Sequence, residues 1–169
     1  FGEICDMLNS NQVGIGLAIN PDTELPEWCY KFVELLDQII IMSVVPGKSG
    51  QKFIESTHEK TKRIAKDLRE HKFEGYIEAD GGVNLENIGA CFEDGARAFV
   101  GGSAIIGQND VRMIIKEFRN QVLESRRRLL IKKAHELGGT ELVNSWIDLH
   151  VVGKKKDSLV QIAKELGFQ

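Results

Sequence analysis

The chain has 169 residues, enough for one domain with its own core. With 42% hydrophobic and 28% charged residues and only 3 prolines, its composition excludes a disordered or collagen-like chain. A net charge of −3 provides no global field for nucleic acid or an anionic membrane, so neither is expected as a partner.

The cysteines, Cys5, Cys29 and Cys91, are odd in number and widely spaced. None forms a CxxC pair, which argues against a structural zinc or dithiol motif and favours a reducing, cytoplasmic setting. The longest apolar run falls well short of the roughly 20 residues that span a bilayer. The chain opens on Phe1 rather than methionine, and the expectation is a segment of a longer protein.

Val13–Ile19 (VGIGLAI) reads as a first short strand, punctuated by Asn20-Pro21-Asp22. Pro26 is placed to open a helix through about Leu36, with Trp28, Phe32 and Leu35 on its packed face. Gln38–Val44 is nearly continuous and apolar, as in a parallel strand buried on both faces. A loop follows from Val45 to Gln51. Phe53–Leu68 is then expected to be helical, with Ile54, Ile64 and Leu68 inward.

Gly75–Ala79 is the third strand, ended by Asp80-Gly81-Gly82. Asn84 is a candidate cap for a helix carrying Ile88 and Phe92, which Gly95 closes. Ala98–Gly101 is the fourth strand, ended by Gly101-Gly102-Ser103, with a short helix before Gly107. Asp110 starts a long helical stretch with Ile114, Ile115, Phe118 and Val122.

Strand then helix, four times over, indicates βα units on a parallel sheet. No glycine-rich dinucleotide fingerprint follows the first strand. The pattern therefore predicts an α/β fold of the (β/α)₈ barrel type. A whole barrel takes about 250 residues, so this chain is expected to supply the last four βα units.

Residues 1–125 are assigned to that half barrel, and 126–169 to a helical or mixed extension of unassigned role. There, Gly138-Gly139 stops the long helix, Trp146–Val152 (WIDLHVV) reads as a strand, and Ser158–Leu166 as a helix. Arg126-Arg127-Arg128 and Lys132-Lys133 read as a solvated helix face.

Functional groups of βα folds gather at the carboxyl ends of the strands. Asp80 sits at such an end before two glycines that permit close backbone approach; it reads either as an acid/base carboxylate or as a turn former. Gly101-Gly102-Ser103 reads either as a tight turn or as a phosphate cradle of backbone N–H groups. Gly47–Gly50 reads as a flexible loop able to close over a ligand. Met42 is either core packing or the wall of a site. His58, His71 and His135 read as solvated. His150, within WIDLHVV, reads as a core residue or a ligand.

Taken together, GLAINPDT, DQIIIMSVVPGKSGQKFI, IEADGGVNLENI and DGARAFVGGSAIIG resemble the ribulose-phosphate 3-epimerase family in order and spacing, over about Val13 to Phe118. The resemblance implies a (β/α)₈ barrel seen from its fifth strand onward. It implies interconversion of D-ribulose 5-phosphate and D-xylulose 5-phosphate, with two aspartates on opposite sides of C3. It also implies a divalent metal, zinc or iron, at the enediolate oxygens.

On this resemblance Asp80 is the second aspartate, acid/base and metal ligand, and Met42 lines the metal pocket. Gly81, Gly82, Gly102 and Ser103 form the phosphate cradle. Gly47, Lys48, Ser49 and Gly50 form the substrate loop, with Lys48 where members commonly carry an apolar residue. The family's serine, H-x-D strand and first aspartate have no counterpart here. The expectation is an isomerase in the full-length protein, inactive as this segment alone. The alternative is a non-catalytic barrel relative that binds a phosphorylated ligand or a protein. Either a homo-oligomer or a missing N-terminal half is expected to cover the open barrel edges.

Overall fold

The computed structural model describes residues 2–10 and 13–136. WIDLHVV with His150, the helix stop at Gly138-Gly139 and the final helix all lie outside the described residues. The chain divides into two compact units, Phe1–Ser125 and Arg126–Gln169.

The described elements are α1 (Gly2–Ser10), β1 (Gly16–Ile19), a 3₁₀ helix (Glu27–Leu35), β2 (Gln38–Met42) and α2 (Thr57–Glu70). They continue with β3 (Tyr76–Asp80), α3 (Ile88–Asp94), β4 (Ala98–Val100), α4 (Gly102–Ile106) and α5 (Val111–Glu136). The four strands form one sheet in the order β1-β2-β3-β4, every pair parallel. This is the expected run of βα units of a partial barrel. Among the described residues, no helix is long and apolar enough to cross a membrane.

Strand alternation divides the sheet into two unlike faces. Ile19, Ile39, Ile41, Ile77 and Ala79 are buried and pack with Cys29, Val33, Ile64, Leu68, Ile88, Cys91 and Phe118 in the core. The opposite face carries Ala18, Ile40, Met42, Glu78, Asp80 and Val100, all half-buried or exposed. The core thus lies on the side of the sheet that the helices cover.

The elements differ from the sequence reading in several places: β1 starts at Gly16 rather than Val13, β2 ends at Met42 rather than Val44, and β4 ends at Val100 rather than Gly101. The segment after Pro26 is 3₁₀ rather than α, starting with the bond from Cys29 N–H to the Pro26 carbonyl. Cys29 and Val33 face inward, and Trp28 is exposed. The second long helix begins at Thr57, so Phe53 and Ile54 belong to the loop before it. The third strand is shifted by one residue, which places Asp80 inside it as the partner of Met42 and Val100.

Candidate functional site

Met42 and Asp80 are register partners at the ends of β2 and β3, half-buried on the face opposite the core. Glu78 lies two residues earlier on that face, and Gln38 Nε2 donates to its Oε2 at 2.6 Å. Burial, and secondarily the Asp80 charge, push the Glu78 carboxyl above its ordinary range, against the Gln38 bond. The sequence reading passed over Glu78; the signal was its two-residue spacing from Asp80 within a strand.

A buried serine fixes the turn after β3. The Ser43 hydroxyl donates to the carbonyls of Asp80 at 3.0 Å and Gly81 at 2.8 Å, and Ser43 N–H donates to the Asp80 carbonyl at 2.7 Å. The Ser43 carbonyl in turn accepts from Ile54 N–H at 2.8 Å.

Gly81 and Gly82 both have positive φ, 115° and 65°, which side chains disfavour. At Gly82 a Cβ would meet the Phe53 nitrogen at 2.5 Å, so the 52–53 backbone lies directly on this turn. From the other side, Asn87 Nδ2 donates to the Gly82 carbonyl at 3.0 Å. Asn84 Oδ1 accepts from the N–H groups of Glu86 and Asn87, so it caps the turn ahead of α3 rather than α3 itself.

A cavity of about 660 Å³ opens beside this turn. Gly82, Gly102 and Ser103 of the expected cradle share its wall with Lys52, His58 and Asn87. Asp80, Gly81 and Met42 are not on that wall, nor is Gly47–Gly50. α4 has only five residues, so local N–H groups at Gly102 and Ser103, rather than a long helix dipole, are what this end offers an anion. Gly47, Lys48, Ser49 and Gly50 are exposed, and Gln51 Nε2 ties their loop together by donating to the carbonyls of Val45 at 2.6 Å and Lys48 at 2.8 Å.

His58 is not the solvated residue the sequence suggested. Its side chain is 17% exposed, and Nδ1 is bonded to the Asp94 carboxylate of α3, which is 4% exposed. Burial holds the Asp94 carboxyl above its ordinary range, with His58 and Lys62 opposing. Lys60 was also missed. It is buried, and its Nζ donates to the carbonyls of Asn20 and Thr23, each at 2.5 Å, so that α2 grips the loop after β1.

A zinc or iron site takes about four donors. Met42 and Asp80 supply one thioether and one carboxylate at adjacent strand ends. Among the described residues, no three His, Cys, Asp or Glu side chains form a metal-holding group. The described donors therefore do not make up the implied metal site.

Residues 3–106 match the model of the "Ribulose-phosphate 3 epimerase family". The ribulose-phosphate 3-epimerase of Escherichia coli strain K12 is 39% identical over 116 residues, which cover 69% of this chain and 51% of that protein. The protein of the same name from Buchnera aphidicola subsp. Schizaphis graminum is 40% identical over 107 residues, covering 63% of this chain and 46% of its own length. That of Serratia marcescens is 41% identical over 97 residues, covering 57% and 46%. This chain thus spans about half the length of the curated relatives it matches. With four parallel strands in the expected order and a family match over most of the first unit, the chain belongs to the ribulose-phosphate 3 epimerase family.

Proposed function

We propose that this chain forms the C-terminal half of a cytoplasmic enzyme that inverts C3 of a ketose phosphate, D-ribulose 5-phosphate to D-xylulose 5-phosphate. The observation that carries the reading is Asp80 at the end of β3, on the face opposite the core, beside a glycine turn that opens onto the cavity. The C2 carbonyl of the ketose acidifies the C3–H bond. One carboxylate takes that proton while the electron pair moves onto the C2 oxygen. A second carboxylic acid then returns a proton to the opposite face, and the electrons restore the carbonyl.

Asp80 is one of the two acids. Its backbone carbonyl is held twice by Ser43, which keeps the strand end rigid enough for proton transfer. The phosphate sits at the backbone of Gly82, Gly102 and Ser103, with the Gly47–Gly50 loop above the substrate. The second acid comes from an N-terminal half or a partner copy that also covers the open edges. No step is assigned to a metal.

The test is exchange of the C3 proton with deuterated solvent in the intact protein. Asp80→Asn keeps the side chain's size and removes the base, so exchange should be lost while phosphate binding persists. Exchange at the wild-type rate would remove Asp80 from the mechanism.

A second reading has its own observation: the cavity wall holds three cradle glycine and serine residues but not Asp80. That arrangement suits a non-catalytic member that binds a phosphorylated ligand or a protein. Phosphate-dependent binding with no exchange in the wild type would favour it.

A further inference from the structure

His58 and Asp94 have no place in the chemistry above, yet they form a bonded pair, Asp94 buried and His58 half-buried on the cavity wall. Asp94 is at the last position of α3 and His58 in the first turn of α2. Their bond engages Nδ1, which leaves Nε2 as the nitrogen available to a ligand. The ring packs on Phe53, centroids 4.8 Å apart, and Phe53 is the residue whose backbone abuts Gly82. The imidazole is thereby held in orientation by a carboxylate on one side and an aromatic ring on another.

Because Asp94 accepts at Nδ1, the neutral ring presents a bare acceptor at Nε2, and the protonated ring presents a donor with positive charge. We propose that His58 is an anion-binding residue of this cavity. Its imidazolium donates from Nε2, directly or through one water, to a phosphate monoester lodged at Gly82, Gly102 and Ser103. This rests on the cradle reading given above and adds to it the charge that a backbone cradle lacks.

The groups around the ring define its charge balance. Asp94 of α3 faces Nδ1. The exposed Glu55, in the loop before α2, stands 3.7 Å from Nε2. Lys62 of α2 reaches the other Asp94 oxygen at 3.7 Å and is bonded to Glu59. The Cys91 thiol of α3 senses Asp94 and remains a neutral neighbour. Lys52 and Glu86, one of each sign, share the cavity wall. Among the described residues a bound anion thus competes with Glu55 for Nε2, and Glu55 is a weak competitor because it is exposed.

Sulfate is the probe, because it stays doubly charged where histidine titrates. It is titrated into the intact protein at about pH 6 and about pH 8 and followed by the amide shifts of Gly82, Gly102 and Ser103. The wild type should bind about tenfold more tightly at the lower pH, the effect of one charge-assisted hydrogen bond. His58→Gln should bind at the weaker level at both. His58→Lys, a cation at both pH values, should restore binding and flatten the profile. Asp94→Asn should weaken the low-pH gain. The same pH profile in wild type and His58→Gln, with the cradle amides still moving, overturns the role of His58 and leaves the cradle standing. Amides that move in no variant at either pH overturn the cradle and His58 with it.

Discussion

Two glycines with nearly the same φ separate the cost of conformation from the cost of space. Gly50 has φ 72° and Gly82 has φ 65°, so an alanine at either is forced to a positive φ that side chains disfavour. That costs about 1–2 kcal/mol at each position. The reduced entropy of the unfolded chain returns part of this equally in both. At Gly50 nothing lies within 4 Å of the added Cβ. At Gly82 it meets Phe53 N at 2.5 Å, Phe53 Cα at 2.8 Å and the Lys52 carbonyl carbon at 3.0 Å. All three are backbone atoms, so no rotamer change relieves the overlap. Moving the 52–53 segment adds roughly 1–3 kcal/mol. Gly82→Ala should therefore be more destabilising than Gly50→Ala by about that difference. Urea unfolding of both variants, at an unchanged denaturant slope, measures it. Equal midpoints would refute the close packing of Phe53 on the turn after β3.

Lys60→Met keeps the stem and removes the ammonium that the Thr23 carbonyl accepts from, so it should lose about 2 kcal/mol in the same unfolding assay. A neutral result would mean the buried charge costs as much as its bonds return. Burial, with the Asp94 charge second, pushes the Cys91 thiol up to about 12. Alkylation of native Cys91 near neutral pH should run about a thousandfold slower than that of a free thiol, read by mass spectrometry of its peptide. Labelling at the free-thiol rate would contradict the packing. Glu78 has a raised folded-state value, so its ionisation costs stability above that value and the cost vanishes as pH falls toward the ordinary glutamate range. Glu78→Gln should raise the melting temperature at neutral pH and make no difference in acid; a melting gain that persists in acid would point to packing instead of charge.

The parallel order was legible because each strand is a compact apolar run and each connection is long enough to cross over the sheet. The helix type after Pro26 was not, because i+3 and i+4 closure leave nearly the same apolar spacing over a short segment. Lys60 could have been found. It falls on the α2 stripe of Thr57, Thr61, Ile64 and Leu68, where a charge needs partners. Its partners are main-chain carbonyls in another loop, which carry no sequence signature. His58 was out of reach for a related reason: Asp94 is 36 residues away and meets it only once α2 and α3 pack. Asp80 was singled out correctly as a strand-end carboxylate, yet the wall of the cavity beside it depends on how α4 and the 51–55 loop converge.

The bond from Ile54 N–H to the Ser43 carbonyl joins the two feet of the segment that runs through Lys48. Length added at its exposed tip leaves those feet, and everything behind them, where they are. Doubling such a segment costs only about 0.6 kcal/mol of closure entropy. An insertion between Gly81 and Gly82 has no such freedom, because Ser43, Phe53 and Asn87 grip that turn from three sides. New specificity is therefore cheapest to graft at Lys48, where descendants of this chain can lengthen or replace the tip without rebuilding the sheet.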